Sequence, residues 1–173
     1  EYSKNLADKY GIQYHVNEEK GGIAKDWNYA YEIADTPYVT IAHQDDIYEK
    51  DFSKNVIAYL DHCKKPIIAF TDYCEIHKNI KEAKAKNLKI KRFLLGFLLL
   101  PGGKKNRFLR RRVLSLGNSI CCPSVTYVKE NLPAQLFHTH FRSNVDWETW
   151  EKLSRYKGEF CYIPKRLMCH RIH

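Results

Sequence analysis

Two aspartates in succession, Asp45 and Asp46, follow an apolar stretch over residues 38–42, with His43 and Gln44 between. Adjacent carboxylates repel, so holding them together calls for a compensating cation. A divalent metal bridging to a phosphorylated ligand supplies it, and hard oxygen ligands suit Mg²⁺ or Mn²⁺. The structural alternative is that Asp46 or Asp51 caps the helix marked by Phe52 and Val56. One aspartate capping while the other binds satisfies both readings. Four histidines, His138, His140, His170 and His173, offer a second chemistry, a hydrolase metal cluster. Without an H-E-x-x-H core or helical spacing this signal is weak, and surface or packing roles are expected for most of them.

Hydrophobic periodicity assigns the elements that must position these side chains. Residues 3–10 read as a helix closed by Gly11. Residues 12–16 alternate like a strand, and a loop over 17–22 follows. Ile23, Trp27, Ala30, Tyr31 and Ala34 share one helical face, ended by Thr36-Pro37. Residues 38–42 form a short apolar strand of the kind buried in a parallel sheet, and it runs straight into His43-Gln44-Asp45-Asp46. In open α/β sheets ligands sit beyond the carboxyl ends of strands, which is where the Asp pair emerges. Phe52, Val56, Leu60 and Cys63 mark a further helix, broken by Pro66, before a strand over 67–73. Strand, helix, strand at this spacing implies right-handed crossovers in a doubly wound sheet. Residues 120–128 read as a strand, Trp147, Trp150 and Leu153 line a helix, and 159–163 and 167–172 suggest two closing strands.

The chain of 173 residues is sized for one domain with a substantial core. With 44% hydrophobic and 28% charged residues it is too apolar to stay disordered. Its longest apolar run, residues 93–100, is far short of the roughly 20 needed to span a bilayer. Six cysteines without a C-x-x-C pair, set in apolar surroundings, read as reduced, buried thiols of a cytoplasmic protein, and adjacent Cys121 and Cys122 read as packing.

The net charge of +9 is concentrated in one place. Residues 84–112 carry eleven basic side chains and no acidic one, and they enclose the run Phe93-Leu94-Leu95-Gly96-Phe97-Leu98-Leu99-Leu100. Apolar residues flanked by cations suit an anionic membrane boundary or a lipid-linked acidic ligand. The same pattern suits a surface helix whose leucines enter the core. Nucleic acid is not expected, because cations and aromatics are segregated here and not interleaved. A non-catalytic basic, membrane-associated or nucleic-acid-binding module on an α/β scaffold is the alternative function.

Asn17, Gly22 and Asn28, then an apolar strand and the Asp pair, resemble the first half of family 2 glycosyltransferases of the GT-A fold, with its D-x-D-D signature. Residues 117–125, 144–148 and 170–173 are similar to the acceptor-side strand, catalytic-base loop and closing strand of bacterial members. The resemblance implies a Rossmann-like α/β domain with a mostly parallel sheet and helices on both faces. It also implies inverting sugar transfer from a nucleotide-diphosphate sugar, dependent on a divalent metal, to a glycan or lipid-linked acceptor in cell-surface polysaccharide synthesis. Position by position, Asp45 matches the metal-ligating second Asp of D-x-D, and Asp46 the carboxylate after it. His43 stands where the first Asp is usual, and Trp27 where an Arg is usual. Asp146 matches the general base, its structural alternative being a capping box with Ser143. Arg171 and His173 match positions that approach the donor diphosphate, and Asn17, Gly22 and Asn28 belong to the donor-binding loop and helix. Peripheral membrane contact through residues 89–112, at the inner face of the membrane, completes the expectation. Since family members begin with a strand, helix and strand that form the base pocket, the chain is expected to be a fragment truncated at both ends, inactive alone.

Overall fold

The computed structural model describes residues 2–19 and 21–172. Helix α1 (Tyr2–Tyr10) is followed by α2 (Ile23–Ile33), strands β1 (Tyr38–Thr40) and β2 (Ile47–Tyr48), and α3 (Phe52–Leu60). Then come β3 (Pro66–His77), β4 (Ile80–Glu82), α4 (Lys86–Gly96), α5 (Arg107–Arg112), β5 (Val125–Val128), α6 (Val145–Ser154) and β6 (Glu159–Ile172). Residue order translates into fold through the strand alternation. Phe70, Tyr127, Phe160 and Tyr162 project to one side of the sheet, into a cluster with Tyr31, Trp150 and Leu153 from α2 and α6. Their neighbours Ala69, Val128, Cys161 and Ile163 project to the other, where the Phe52, Val56 and Leu60 stripe of α3 covers them. Helices thus lie on both faces, and β3, buried along almost its whole length, is the spine.

The sheet is mixed, in the order β1-β5-β3-β6-β2, with β4 on the far end of β3. β3 and β6 pair in parallel, whereas β5 pairs antiparallel with both β1 and β3. β1, β3 and β6 therefore point the same way, as the crossover pattern requires, but β5 is inserted between β1 and β3 and β2 folds back on β6. A strand inserted from about 60 residues downstream leaves no local trace in hydrophobic periodicity. The two closing strands are one, β6, whose register against β3 slips between Ile163 and Arg166, where Pro164 cannot donate to the ladder. Residues 12–16 form no strand: they run without a ladder partner, and Ile12, Tyr14 and Val16 are exposed.

The expectation of six reduced thiols is overturned at one pair. Cys74 on β3 and Cys169 on β6 stand opposite each other in the parallel register and form a disulfide. The thiol-based argument for a cytoplasmic location falls with it, since disulfides persist chiefly in oxidising compartments. Among the described residues no helix is long and apolar enough to cross a membrane.

The basic segment divides between the two readings proposed for it. Leu88, Leu95 and Leu98 are core residues, while Phe93, Leu99 and Leu100 are exposed. Several of its cations are structural. Arg92 binds the Asp72 carboxylate through Nε at 2.8 Å, and Lys104 meets Glu159 at 2.8 Å. Arg110, 0% exposed, donates to the Gly158 and Tyr156 carbonyls and stacks over Phe160, and burial lowers its pKa to about 10.

Candidate functional site

The pairing of β2 with β6 decides where the Asp pair sits. Ile47 and Tyr48 align with Cys169 and Met168, so the His43–Asp46 turn that precedes them lies against His170 and Arg171. The Asp46 side chain is 0% exposed; its Oδ1 accepts from the Arg171 backbone N–H at 2.9 Å and lies 3.0 Å from His170 Nδ1. Oδ2 of Asp46 and Nε2 of His43 are buried without hydrogen-bond partners, and His43 Nδ1 is 3.9 Å from Oδ2. The Arg171 guanidinium is held by the Asp45 carbonyl at 3.1 Å and by Asn79 Oδ1 at 2.9 Å, which ties the β3–β4 turn to the Asp loop. His173 lies outside the described residues. Neither aspartate caps α3 as the structural alternative required: Asp51 precedes that helix without a side-chain cap bond, and Asp46 is engaged elsewhere.

His43 and His170 form one side of a cleft of about 350 Å³. Asp146, Asn118, Lys91 and Arg142 enter it from other elements, and Trp27 comes from α2. His43 stacks on Trp27 with ring centroids 5.5 Å apart. The two positions that depart from the family pattern thus touch, and an aromatic pair stands where the pattern has an arginine and an aspartate. Burial lowers the His43 pKa, against the pull of Asp46, Asp45 and Asp146, so its imidazole is neutral near pH 7. Cys121 and Cys122 also line the cleft, but burial pushes both thiols well above their usual range, which makes them packing groups as expected.

Asp146 lies in the first turn of α6, whose N-cap is Asn144 in a left-handed conformation with no side-chain cap bond. The capping box with Ser143 is therefore not formed. Asp146 Oδ2 instead accepts from Asn118 Nδ2 at 2.5 Å, a contact across 28 residues that orients the carboxylate. Lys91 is positioned by the Tyr73 hydroxyl at 2.9 Å. Lys91 and Arg142 were not singled out by the sequence. Lys91 was one cation among eleven in its segment, and Arg142 had only its nearness to Asp146 to mark it.

Asn17, Gly22 and Asn28 are not brought to this cleft. Asn28 accepts from the Leu136 and Phe137 N–H groups and donates to the Phe137 carbonyl at 2.7 Å, clasping α2 to that loop. Asn17 binds Asp26, and Gly22 starts α2 at φ +86°. Together they set α2, which in turn delivers Trp27. Among the described residues the histidine cluster is not formed: His138 binds Glu148 at 2.9 Å and stacks with His140, while His170 belongs to Asp46. A tight Cys63, Glu159 and Cys161 group lies outside the cleft, and its carboxylate is already neutralised by Lys104 and Lys105.

The model of glycosyl transferase family 2 matches residues 1–136. The chain belongs to this family. No curated protein matches it significantly. The matched span contains the Asp loop and Asn118 and ends before Asp146 and β6. Family 2 glycosyltransferases generally use nucleotide-sugar donors and divalent metals. Two atoms here are of the kind such an ion takes, the buried and unpartnered Asp46 Oδ2 and the unpartnered His43 Nε2, although among the described residues the Asp loop does not gather three ligand atoms as tightly as the Cys63, Glu159 and Cys161 group does.

Proposed function

We propose that the cleft transfers a glycosyl group, with inversion, from a nucleotide-diphosphate sugar to a hydroxyl of a glycan or lipid-linked acceptor, with Asp146 as general base. The observation that carries this reading is the release of Asp146 from helix capping and its orientation by Asn118 in the cleft bounded by His43 and His170. Asp45 and Asp46, with His43, would hold the divalent cation, whose chemistry is to neutralise the donor diphosphate and the departing nucleoside diphosphate. Lys91 adds cationic charge to the same cleft and stabilises the leaving group. Asp146 takes the proton of the acceptor hydroxyl as that oxygen attacks the anomeric carbon, and the nucleoside diphosphate leaves from the opposite face of the sugar. The neutral Trp27–His43 stack supplies an apolar face for the donor in place of a charge pair.

Cell-surface polysaccharide synthesis in a bacterium is the setting this chemistry fits. The exposed Phe93, Phe97 and Leu99, with the exposed Lys89 and Lys105 on the same stretch, support a peripheral membrane contact through residues 89–112. The deciding experiment incubates the intact protein with a panel of nucleotide-diphosphate sugars and Mn²⁺ and follows nucleoside diphosphate release. The expected outcome is metal-dependent release with one donor, lost in Asp45→Asn. Release that is the same with and without chelator, or unchanged in that variant, would overturn the metal assignment. No release with any donor would overturn the transferase reading.

A further inference from the structure

Beside the cleft, and sharing Ser143 and Asn144 with it, runs a groove of about 830 Å³ between α5 and α6. That size falls within the roughly 300–1,000 Å³ of small-ligand clefts. Its apolar lining comes from Phe108, Leu114, Phe141 and Trp147, and Trp147 is fixed in place by donating Nε1–H to the Leu114 carbonyl at 3.1 Å. The charges around these rings are unevenly matched. Glu151 is paired with Arg155 at 2.8 Å and Arg111 at 3.3 Å, and Glu148 Oε1 with His138 at 2.9 Å. Arg112 in the groove and Arg142 at the neighbouring cleft have no carboxylate partner among the described residues, and Arg112 lies over the Phe108 ring at 5.0 Å. Glu148 Oε2, conversely, is buried and lacks a donor.

We propose that this groove seats the acceptor, and that the acceptor is an acidic glycan. This rests on the transferase reading of the adjoining cleft. Sugar rings present apolar C–H faces that lie on aromatic side chains, and their hydroxyls supply the donor that Glu148 Oε2 lacks. A carboxylate or phosphate on the sugar answers the two unpaired arginines through charge-assisted hydrogen bonds. A chain lying in the groove reaches the cleft over Ser143 and Asn144, so its terminal hydroxyl arrives at Asp146. A purely apolar lipid tail would leave both arginines and the Glu148 oxygen desolvated without partners, which disfavours it.

Titration calorimetry of the intact protein with cellobiose, the uronic acid derived from it, its phosphate monoester and decyl phosphate tests this. Both acidic disaccharides are expected to bind about tenfold more tightly than cellobiose, the worth of one charge-assisted hydrogen bond. Arg112→Gln and Arg142→Gln each remove that preference without weakening cellobiose, Arg112→Lys retains most of it, and Phe108→Ala weakens all the saccharides. Retention of the disaccharide phosphate alone, or the uronic acid alone, identifies which anion the acceptor carries. Equal binding of cellobiose and its acidic forms, no binding of any saccharide, a preference that survives both glutamine variants, or tighter binding of decyl phosphate would each overturn the proposal. Nucleoside diphosphate with Mn²⁺, titrated in parallel, separates the two readings. If it binds while the acidic saccharides do not, the groove assignment alone fails. If the saccharides bind with the expected preference and it does not, the transferase reading fails.

Discussion

Asp46 and Asp146 come from different elements, one from the turn after β1 next to the cleft histidines and the other from the first turn of α6 in the cleft lining, and their surroundings differ in kind. The Asp46 side chain is 0% exposed, lies against the two cleft histidines, and receives a backbone N–H from β6. Asp146 lines the cleft and has one side-chain partner, Asn118, on one oxygen. A carboxylate surrounded in the first way organises a loop and holds its charge next to a cation. One surrounded in the second way stands in the cleft lining, where it can take a proton from a bound hydroxyl. The pair teaches that residue type alone does not assign a role, and that the number and nature of the partners does.

The sharpest way to break this contrast is Asp146→Asn. In the intact protein, turnover is expected to fall about 10²- to 10⁴-fold while donor affinity and melting temperature stay near wild type. Activity within about threefold of wild type would remove the base. Asp46→Ala should act in the opposite sense. It leaves the Arg171 N–H and His170 without their acceptor, so chemical denaturation should report a loss of about 2–3 kcal/mol of stability. A melting curve unchanged by that substitution would show that Asp46 does not organise the loop.

Asn118→Ala tests the orientation of Asp146. A drop in kcat of about tenfold with KM unchanged is expected, because the carboxylate persists but loses its alignment. The smallest effect is on pH dependence. Burial lowers the His43 pKa below its usual 6.5, so between the lowered value and 6.5 the unfolded chain binds more protons than the folded one. Stability should therefore be complete above about pH 6.5 and decline as pH falls through that window. His43→Asn should flatten this slope in urea titrations at successive pH values.

Much of this arrangement was legible in the residue order. The stripe of Phe52, Val56 and Leu60, the apolar run before Asp45, and the face carrying Trp150 and Leu153 are local periodicities, and the structure contains α3, β1 and α6 where they occur. What could not be read is pairing at a distance. The insertion of β5, the meeting of Cys74 with Cys169, and the Asn118 contact to Asp146 each join residues 28 or more apart and depend on register. Residues 12–16 alternate as a strand does but lack a partner, which shows that alternation states a capacity to pair and not the pairing itself. Asn28 reads as a ligand-type amide and serves as a clasp, because its partners at residues 136 and 137 are more than a hundred positions away.

The Cys74–Cys169 bridge closes a covalent ring across a separation of 95 residues. That ring contains the basic segment, the groove helices α5 and α6, Asn118 and Asp146, while the Asp loop hangs on the chain before it and Arg171 on the chain after it. A single cut anywhere inside the ring would leave one connected particle until a reductant is added. The bridge also narrows the unfolded ensemble, by about 4–5 kcal/mol in the loop-entropy picture for a ring of this size. The region that carries the proposed base and the proposed acceptor groove would thus be shielded from loss by proteolytic nicking in an oxidising medium and would shed that protection on reduction.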